Sequence, residues 1–323
     1  MGREFDLIQR YFSRPVPQGF LGGGDDCALL PVDPGKTLAV STDLLVQDRH
    51  FFADVSPFNL GQKTLAVNLS DLAAMGAQPL GCVLGLAIPS INESWLAAFS
   101  EGFYALADRA GCPLVGGDTT WAEKVTLSVT VFGQVDAGKA LRRSAAQVGD
   151  DIWVTGTLGA PHIALLMLQN TLPPETLQLL RGRESVLRRA LEQPEPPVAF
   201  GPCLPGLAHA ALDISDGLLQ DLGHILKASA CGAVLDYDRL PFHPALDGLP
   251  QPLLEEAVLS GGDVYQLCFT AASSVRSTIT ALAARHGIEV ARVGHITGRC
   301  GQLDVLRADG SAVVIERQGF EHF

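Results

Sequence analysis

Seven aspartates in this chain stand beside Gly, Ser or Thr in five short segments that are typical of turns. These segments are Gly24-Asp25-Asp26, Ser41-Thr42-Asp43, Ser70-Asp71, Gly116-Gly117-Asp118-Thr119-Thr120 and Asp213-Ile214-Ser215-Asp216-Gly217. One Asp in a turn is commonly a turn-former or a helix cap. Repeated clusters of Asp and small residues instead suit hard divalent cations, which take several oxygen ligands. The pattern therefore predicts a site with several Mg²⁺ ions and a phosphorylated substrate.

The common phosphate-binding motifs are missing from the sequence. No G-x-x-x-x-G-K-[ST] occurs, and the cluster Gly22-Gly23-Gly24 leads into two acids, which excludes a P-loop and a dinucleotide fingerprint. The His-Arg-Asp and Asp-Phe-Gly set of protein kinases is also missing. Phosphate binding must then rest on metal ions, backbone amides and a few cations such as Arg142 and Arg143.

Composition sets the class of protein. The chain has 323 residues, of which 47% are hydrophobic and 18% charged, enough for two domains with large cores. Its net charge of −12, without any Lys/Arg-rich run, argues against a nucleic-acid or anionic-membrane partner. The start has no apolar signal region, and no apolar run approaches the roughly 20 residues that span a bilayer, so we expect a cytoplasmic location. The seven cysteines form no C-x-x-C pair, and we expect them to be small core residues.

Hydrophobic periodicity predicts the elements that must position these segments. In the first half it predicts strands at 38–46, 81–88 and 125–135, the last antiparallel, and helices at 57–76 and 93–110. Thr64, Asn68 and Asp71 form a polar stripe on the first helix, so Asp71 can face a site while its helix stays packed. Asn92 is predicted to cap the second helix and Gly111 to end it.

The second half predicts a further domain. A polar stretch at 136–151 comes first, and strands are then predicted at 152–155, 265–270, 288–298 and 303–306. Helical segments are predicted between the first strand and residue 191 and at 274–286. The residues at 193–205 are predicted to form a Pro-rich loop. Asp213 is predicted to end a strand, and Ser215 to cap a helix that Gly232 closes. We therefore expect a mixed α/β (α+β) protein with two domains, 1–138 and 139–323.

Six segments, taken in order, resemble the thiamine-monophosphate kinase family. They are 21–30, 41–46 with His50-Phe51 after it, 66–77, 116–120, 213–217 and the tail Gly319-Phe320-Glu321-His322-Phe323. Each motif alone is weak, whereas six in order along the chain are a specific signal. That family belongs to the superfamily of aminoimidazole ribonucleotide synthetase, selenophosphate synthetase and the hydrogenase-maturation dehydratase. The resemblance implies an amino-terminal sheet domain that pairs with its twin in a homodimer, and a carboxy-terminal α/β domain that completes the site.

The resemblance also implies a reaction in which ATP phosphorylates thiamine monophosphate to thiamine diphosphate. By the family pattern, several Mg²⁺ ions are held by Asp26, Ser41, Thr42, Asp43, Asp71, Asp118, Asp213 and Asp216. ATP or its phosphates are contacted by Gly117, Asp118, Arg143 and Ser215, and the thiamine phosphate by His50, Asp263 and Phe320. The nucleophile is a phosphate oxygen that is already ionised at neutral pH. No general base is therefore expected, and catalysis rests on positioning and charge neutralisation.

Each of these residues also has a purely structural interpretation. The turn aspartates could stabilise turns, Ser215 is a good helix cap, and His50 beside Phe51 could be a core histidine. Arg143 has an equal neighbour in Arg142, and either could be a solvated loop cation.

Two further assignments depend on local geometry. Ser41 and Thr42 alternate along a strand, so their side chains can face the same way only if the strand ends there. By residue type, Phe320 is more often a core residue than a stacking surface.

The loop at 261–267 departs from the family pattern. Where the family typically reads Gly-Gly-Glu-Asp-Tyr-Glu-Leu, this chain has Gly261-Gly262-Asp263-Val264-Tyr265-Gln266-Leu267. Two acidic positions become Val264 and Gln266, the Glu shortens to Asp263, and Phe320 replaces the usual Trp or Tyr. We therefore expect weaker binding of the cationic acceptor, which Asp263→Glu with Val264→Asp would restore.

Three other functions fit parts of the pattern. The first is another ATP-using enzyme of the superfamily, although selenophosphate synthesis needs a reactive Cys near the amino terminus and residues 1–20 contain none. The second is a non-catalytic ATP- or thiamine-phosphate-binding protein. The third is a metal-dependent phosphatase, which would release phosphate without an acceptor.

Overall fold

Two separate sheets organise the chain in the computed structural model, which describes residues 6–23, 26–314 and 319. The chain divides into two compact units, Met1–Leu72 with Ala77–Gly138, and Ala73–Gly76 with Lys139–Phe323. Each unit combines helices with one of the sheets, which confirms the predicted α/β class. Within the described ranges, no helix is both long and apolar enough to cross a membrane.

The first unit has a four-stranded sheet. Its strands are β1 (Lys36–Val46), β2 (Gln78–Ile88), β3 (Leu114–Trp121) and β4 (Thr126–Asp136), in the order β1-β4-β2-β3. Strand β4 is antiparallel to both β1 and β2, as its alternating pattern predicted, and β3 runs parallel to β2. The segment Gly116–Thr120 therefore lies on a strand, so its assignment to a turn is wrong.

Two long helices accompany this sheet, after a short helical segment at Ile8–Phe12. They are α1 (Pro57–Ala74) and α2 (Glu93–Ala110). Both predicted caps of α2 are confirmed: Asn92 accepts a hydrogen bond from the Trp95 amide, and Gly111 is left-handed with φ 61°. Residues 60–70 of α1 are all buried. A Cβ at Gly61 would lie 2.1 Å from Phe99 O, so α2 packs directly against α1. Because Thr64 and Asn68 are buried, the polar stripe of α1 lies inside the unit.

The two faces of β1 have different surroundings. Leu38, Val40 and Leu44 point to the outer face and are 45%, 56% and 54% exposed, whereas Leu45 on the inner face is 5% exposed. Successive side chains of a strand alternate between faces. Ser41 and Asp43 therefore share the inner face, and the outer face of β1 is an exposed apolar surface.

The second unit has a six-stranded sheet. Its strands are β5 (Asp151–Thr155), β6 (Ala208–Ile214), β7 (Gly232–Asp236), β8 (Gln266–Ala271), β9 (Val290–Thr297) and β10 (Leu303–Leu306), in the order β10-β7-β9-β5-β8-β6. Strands β10 and β7 are parallel, and the other neighbours are antiparallel. Strand β7 was not predicted from the sequence.

Helices pack around this second sheet. They are α3 (Ala160–Leu168), α4 (Pro174–Leu179), α5 (Glu184–Glu192), α6 (Leu218–Ser229), α7 (Gln251–Leu259) and α8 (Arg276–His286), with short 3-10 turns between them. Trp153 on β5 stacks on Phe269 of β8 with ring centroids 6.2 Å apart, and Phe200 packs on the same ring. Ile279 and Ala283 of α8 complete this core.

Some local expectations are wrong. No side chain caps α6, and the residue before its first turn is Gly217, so Ser215 is not the cap. The helix ends in the left-handed Ala230, before Gly232. Cys27 and Cys300 are exposed instead of lying in the core, while Cys82, Cys112, Cys231 and Cys268 are buried.

Candidate functional site

Two hydrogen bonds join the inner face of β1 to α1. Ser41 Oγ donates to Asp71 Oδ2 over 2.5 Å, and the Asp43 amide donates to Asn68 Oδ1 over 2.9 Å. Asn68 is itself oriented by the helix, because its Nδ2 donates to Thr64 O over 3.2 Å. The predicted polar stripe of α1 therefore faces β1 and brings Asp71 to Ser41 and Asp43. The sequence placed Asn68 on this stripe but did not indicate that it would orient β1.

The Asp43 and Asp71 carboxylates repel each other in a partly buried place. Burial, and then the charge of Asp71, raise the pKa of Asp43 to about 6. A divalent cation would remove this repulsion, and carboxylates with a hydroxyl are hard oxygen donors that suit Mg²⁺. Across the described residues, no three His, Cys, Asp or Glu side chains are grouped so that they could hold a metal ion. The structure thus assembles a carboxylate pair, and the larger metal-ligand set stays a prediction.

Thr42 points away from this pair. Its Oγ1 donates to Val129 O over 3.0 Å and accepts a hydrogen bond from Thr130 Oγ1, also over 3.0 Å. Strand β1 continues to Val46, so Ser41 and Thr42 face opposite sides. The structure therefore does not bring Thr42 to Asp71, and its role as a ligand stays a prediction.

Asp118 lies on the edge strand β3, where it is exposed. Its Oδ1 accepts a hydrogen bond from the Thr119 amide over 2.9 Å. The preceding residue must be small, because a Cβ at Gly117 would lie 2.0 Å from Leu84 O on β2. Gly117 therefore allows the close pairing that fixes the position of Asp118.

Asp26 is an exposed residue of a loop whose two ends are paired. The amide of Leu21 donates to Leu29 O over 3.0 Å, and the amide of Leu29 donates to Leu21 O over 2.9 Å. These two bonds close the loop without using the Asp26 side chain, and residues 24 and 25 lie outside the described ranges. Its role as a metal ligand stays a prediction.

His50 is oriented by the strand end. The Val46 amide donates to His50 Nδ1 over 3.0 Å, and the His50 amide donates to Val46 O over 2.9 Å. Since Nδ1 accepts a hydrogen bond, the proton of the neutral ring is on Nε2. His50 is half-buried, and the strand end fixes the orientation of its ring.

The segment Asp213–Gly217 forms a turn that the sequence did not explain. Asp221, in the first turn of α6, accepts hydrogen bonds on Oδ2 from the amides of Ser215, Asp216 and Gly217 over 3.0, 3.0 and 3.1 Å. Burial raises the pKa of Asp221 to about 7, although these three amides act to lower it. The sequence feature that could have indicated this arrangement is Asp221 itself, an acid in the first turn of a predicted helix. Ser215 was predicted to be the cap instead.

The other two acids of this turn, Asp213 and Asp216, differ in burial and in hydrogen bonding. Asp213 is buried near the end of β6 at 7% exposure. Asp216 is half-buried, and its Oδ2 accepts a hydrogen bond from Gln220 Nε2 over 3.2 Å. Gly319 lies against the same side chain, since a Cβ there would be 2.4 Å from Gln220 Oε1. Phe320, the predicted stacking residue, lies outside the described residues.

The loop at 261–265 packs tightly on this turn. The amide of Asp263 donates to Ser215 O over 2.8 Å, and that of Tyr265 donates to Ile214 O over 2.7 Å. A Cβ at Gly262 would lie 2.4 Å from Ser215 O, so only Gly allows this approach. Asp263 and Tyr265 have φ of 59° and 52°, a left-handed conformation that residues other than Gly rarely adopt and that concentrates at functional sites. Asp263 is thus held beside Ser215.

Two of the three family departures in this loop, Val264 and Gln266, have structural roles. Val264 is buried at 6% exposure. A carboxylate at that position would be costly to bury. We therefore no longer expect Val264→Asp to strengthen acceptor binding. Gln266 accepts a hydrogen bond from Thr155 Oγ1 over 2.8 Å and donates from Nε2 to Glu195 O over 2.9 Å. A Glu at 266 could not donate this second bond.

Arg142 and Arg143 are both exposed. The backbone near Arg143 is tied to the end of α6, because Ser229 Oγ donates to Arg143 O over 2.8 Å and accepts from the Ala146 amide. This anchors the chain but leaves both guanidinium groups at the surface. The role of Arg143 as a phosphate ligand stays a prediction.

The chain matches one family over both of its halves. Residues 24–135 match the AIR synthase related protein, N-terminal domain, and residues 147–305 match the AIR synthase related protein, C-terminal domain. Among curated proteins, it is 42% identical over 328 residues to the thiamine-monophosphate kinase of Escherichia coli K12, covering 99% of this chain and 98% of that protein.

Solved structures agree with this similarity. The crystal structure of thiamine-monophosphate kinase from Stenotrophomonas maltophilia superposes with a TM-score of 0.83 and 44% identity, covering 96% of each chain. AaThiL, solved in complex with AMPPCP and TMP, superposes with a TM-score of 0.76 and 26% identity over 99% of this chain and 96% of the other.

Proposed function

The chain belongs to the thiamine-monophosphate kinase family of AIR synthase related proteins, and we propose that it transfers the γ-phosphoryl group of ATP to thiamine monophosphate with the help of several Mg²⁺ ions. The observation that carries the metal requirement is the repulsive pair Asp43 and Asp71, with Ser41 Oγ hydrogen-bonded to Asp71 Oδ2. Two phosphorylated substrates must meet there, and cations neutralise both the protein and the substrate charges.

The protein itself supplies placement more than proton transfer. The acceptor oxygen of thiamine monophosphate is ionised at neutral pH, so we propose no residue as general base. Bound Mg²⁺ would stabilise the charge that develops on the phosphoryl oxygens. The inner face of β1 and the polar stripe of α1 place the two residues, since Ser41 holds the Asp71 carboxylate and Asn68 holds the backbone amide of Asp43.

The proposed ligands extend beyond this pair. We propose that the Mg²⁺ ions are held by the eight oxygen-bearing residues Asp26, Ser41, Thr42, Asp43, Asp71, Asp118, Asp213 and Asp216. Thr42 lies on the opposite side of β1 from Asp71, and its hydroxyl makes hydrogen bonds within the sheet, so as a ligand it would have to exchange these bonds for the metal. The hard oxygen chemistry of the set favours Mg²⁺ over softer metals.

We propose separate residues for the nucleotide and the acceptor. Gly117, Asp118, Arg143 and Ser215 would contact ATP, while His50, Asp263 and Phe320 would contact the thiamine phosphate. The Nε2–H of His50 suits a phosphate oxygen, and the Asp263 carboxylate suits a cationic ring.

The outer face of β1 supports a homodimer. Leu38, Val40 and Leu44 are each about half exposed on one strand face, and contiguous apolar patches of this kind mark interaction surfaces. We propose a second copy of this chain as the partner. Light scattering should then give twice the 34.2 kDa chain mass, and Val40→Lys should reduce it to one chain. Val148→Lys, at a 68% exposed position of the second unit, is the matched control.

We propose the cytoplasm as the location, where ATP is available.

One assay tests the proposed reaction. The purified protein is incubated with ATP, Mg²⁺ and thiamine monophosphate, and thiamine diphosphate and ADP are measured. Equal amounts of both products are expected. Phosphate release without thiamine diphosphate would indicate a phosphatase. Binding of ATP and thiamine monophosphate without any turnover would instead identify a non-catalytic binding protein.

A further inference from the structure

Three consecutive amides of the turn at 213–217 point at one oxygen atom. The amides of Ser215, Asp216 and Gly217 donate to Asp221 Oδ2 over 3.0, 3.0 and 3.1 Å. Asp221 belongs to the first turn of α6, and its own amide donates to Gly217 O over 2.9 Å. Both the side chain and the backbone of Asp221 therefore hold this turn.

Asp221 has almost no surface of its own to offer a substrate. It is 4% exposed, whereas Ser215 and Asp216 are half-buried. The two side chains of the turn that can meet a ligand therefore stand on backbone that a buried side chain holds. Any effect of Asp221 on a ligand must pass through Ser215 and Asp216.

Packing restricts the same turn from another direction. Gly217 has a φ of 130°, a backbone conformation that residues with a Cβ rarely adopt. A Cβ at this position would also lie 2.6 Å from Ser260 O, just after α7. The backbone of the turn is therefore closely enclosed, and a small shift of its amides would displace the side chains that it carries.

The first turn of α6 contacts Asp216 twice. The Asp216 amide donates to Asp221 Oδ2, and Asp216 Oδ2 accepts a hydrogen bond from Gln220 Nε2 over 3.2 Å. One contact holds the backbone of Asp216 and the other holds its carboxylate. Partners of this kind orient a metal ligand, and changing them typically weakens metal binding or activity by about 10–100-fold.

We propose that Asp221 is a positioning residue for Mg²⁺ and ATP, which sets the place of the Asp216 carboxylate and the Ser215 side chain without touching either ligand. This inference rests on the proposed function, because it assigns Asp216 to Mg²⁺ and Ser215 to ATP. A purely structural Asp221 would affect stability alone. A positioning residue affects the affinity for Mg²⁺ and ATP in protein that is still folded.

The decisive variant is Asp221→Ala, which removes the oxygen that accepts the three amides. Isothermal titration measures the binding of a non-hydrolysable ATP analogue in the presence of Mg²⁺, at a temperature where circular dichroism shows the variant to be folded. The Kd should rise by about tenfold or more, the effect typical of losing a partner that orients a metal ligand. Asp221→Asn keeps an acceptor oxygen and should stay within about threefold of wild type.

Ile279→Ala is the matched control for lost stability. Ile279 is fully buried in the core around α8 of the same unit, so its truncation should destabilise the protein to a similar degree as Asp221→Ala. Its Kd should change by less than about twofold, because it does not hold the turn. Four results would overturn the proposal: a wild-type Kd in folded Asp221→Ala, an equal loss in Ile279→Ala, an equal loss in Asp221→Asn, or tighter binding by Asp221→Ala. The last would mean that the three amides themselves bind phosphate and that Asp221 competes for them.

A measurement on the wild-type protein does not depend on the folding of any variant. If Asp221 holds the turn in place before the ligands bind, the amides of residues 215–217 should be protected from hydrogen exchange without Mg²⁺ or nucleotide. Rapid exchange of these amides in the ligand-free protein would overturn the proposal.

Binding and turnover together separate this inference from the proposed reaction. If wild type makes thiamine diphosphate but folded Asp221→Ala binds the ATP analogue equally well, only the role of Asp221 fails. If wild type binds the analogue with Mg²⁺ without making thiamine diphosphate, and Asp221→Ala loses that binding, the proposed reaction fails and the role of Asp221 stands. If wild type binds no nucleotide, both fail.

Discussion

Replacing Asp221 tests how the turn at 213–217 is built. Asp221→Ala removes the oxygen that accepts three backbone hydrogen bonds, from Ser215, Asp216 and Gly217. Each bond contributes a net stability of about 1 kcal/mol, so the free energy of unfolding should fall by about 3 kcal/mol. Asp221→Asn keeps an acceptor oxygen of the same shape, and it should stay within about 1 kcal/mol of wild type at pH 5.

The pH dependence has a definite sign. The pKa of Asp221 is raised from 3.8 to about 7, so its contribution to stability is complete below pH about 4 and is lost as pH rises to about 7. The full loss corresponds to at most about 4 kcal/mol for a shift of this size. Asn cannot ionise, so Asp221→Asn should gain stability relative to wild type between pH 5 and pH 8.

Urea unfolding in EDTA, followed by circular dichroism at pH 5 and pH 8, measures both effects. Hydrogen exchange of residues 215–217 gives a local readout, and these amides should exchange faster in Asp221→Ala. An Ala variant within about 1 kcal/mol of wild type at pH 5 would refute the three-bond argument. A constant difference between wild type and Asp221→Asn across this pH range would show that the carboxyl is not desolvated.

Three other outcomes follow from the site. Asp71→Asn should leave the fold intact but lower kcat at saturating Mg²⁺ by about a hundredfold or more, the scale lost with a preorganised charge interaction; unchanged turnover would reject its role. ATP with Mg²⁺ should raise the melting temperature and EDTA should remove that gain, whereas a shift that survives EDTA would indicate a metal-free site. Asp263→Ala should raise the KM for thiamine monophosphate, with little effect on the KM for ATP; a change in the KM for ATP alone would move this loop to the nucleotide side.

Much of the fold was readable from local sequence pattern. The alternation at 125–135 predicted an antiparallel strand, and Asn92 and Gly111 bounded α2 as expected. These signals act within a few residues, so they need no knowledge of the rest of the chain. The polar stripe of α1 likewise indicated that Asp71 could face a site while its helix stays packed. The ordered motifs indicated the family.

Only the tertiary structure decided which polar groups meet. Ser41 and Asp71 are 30 residues apart and join because β1 pairs with β4 and lies along α1. The turn at 213–217 is held by a side chain of the following helix, and position 264 is buried because its loop packs on that turn. Residue type and spacing specify what a group can do. Which partner it meets depends on long-range packing, which forms only when the whole unit folds and therefore has no signature in local sequence.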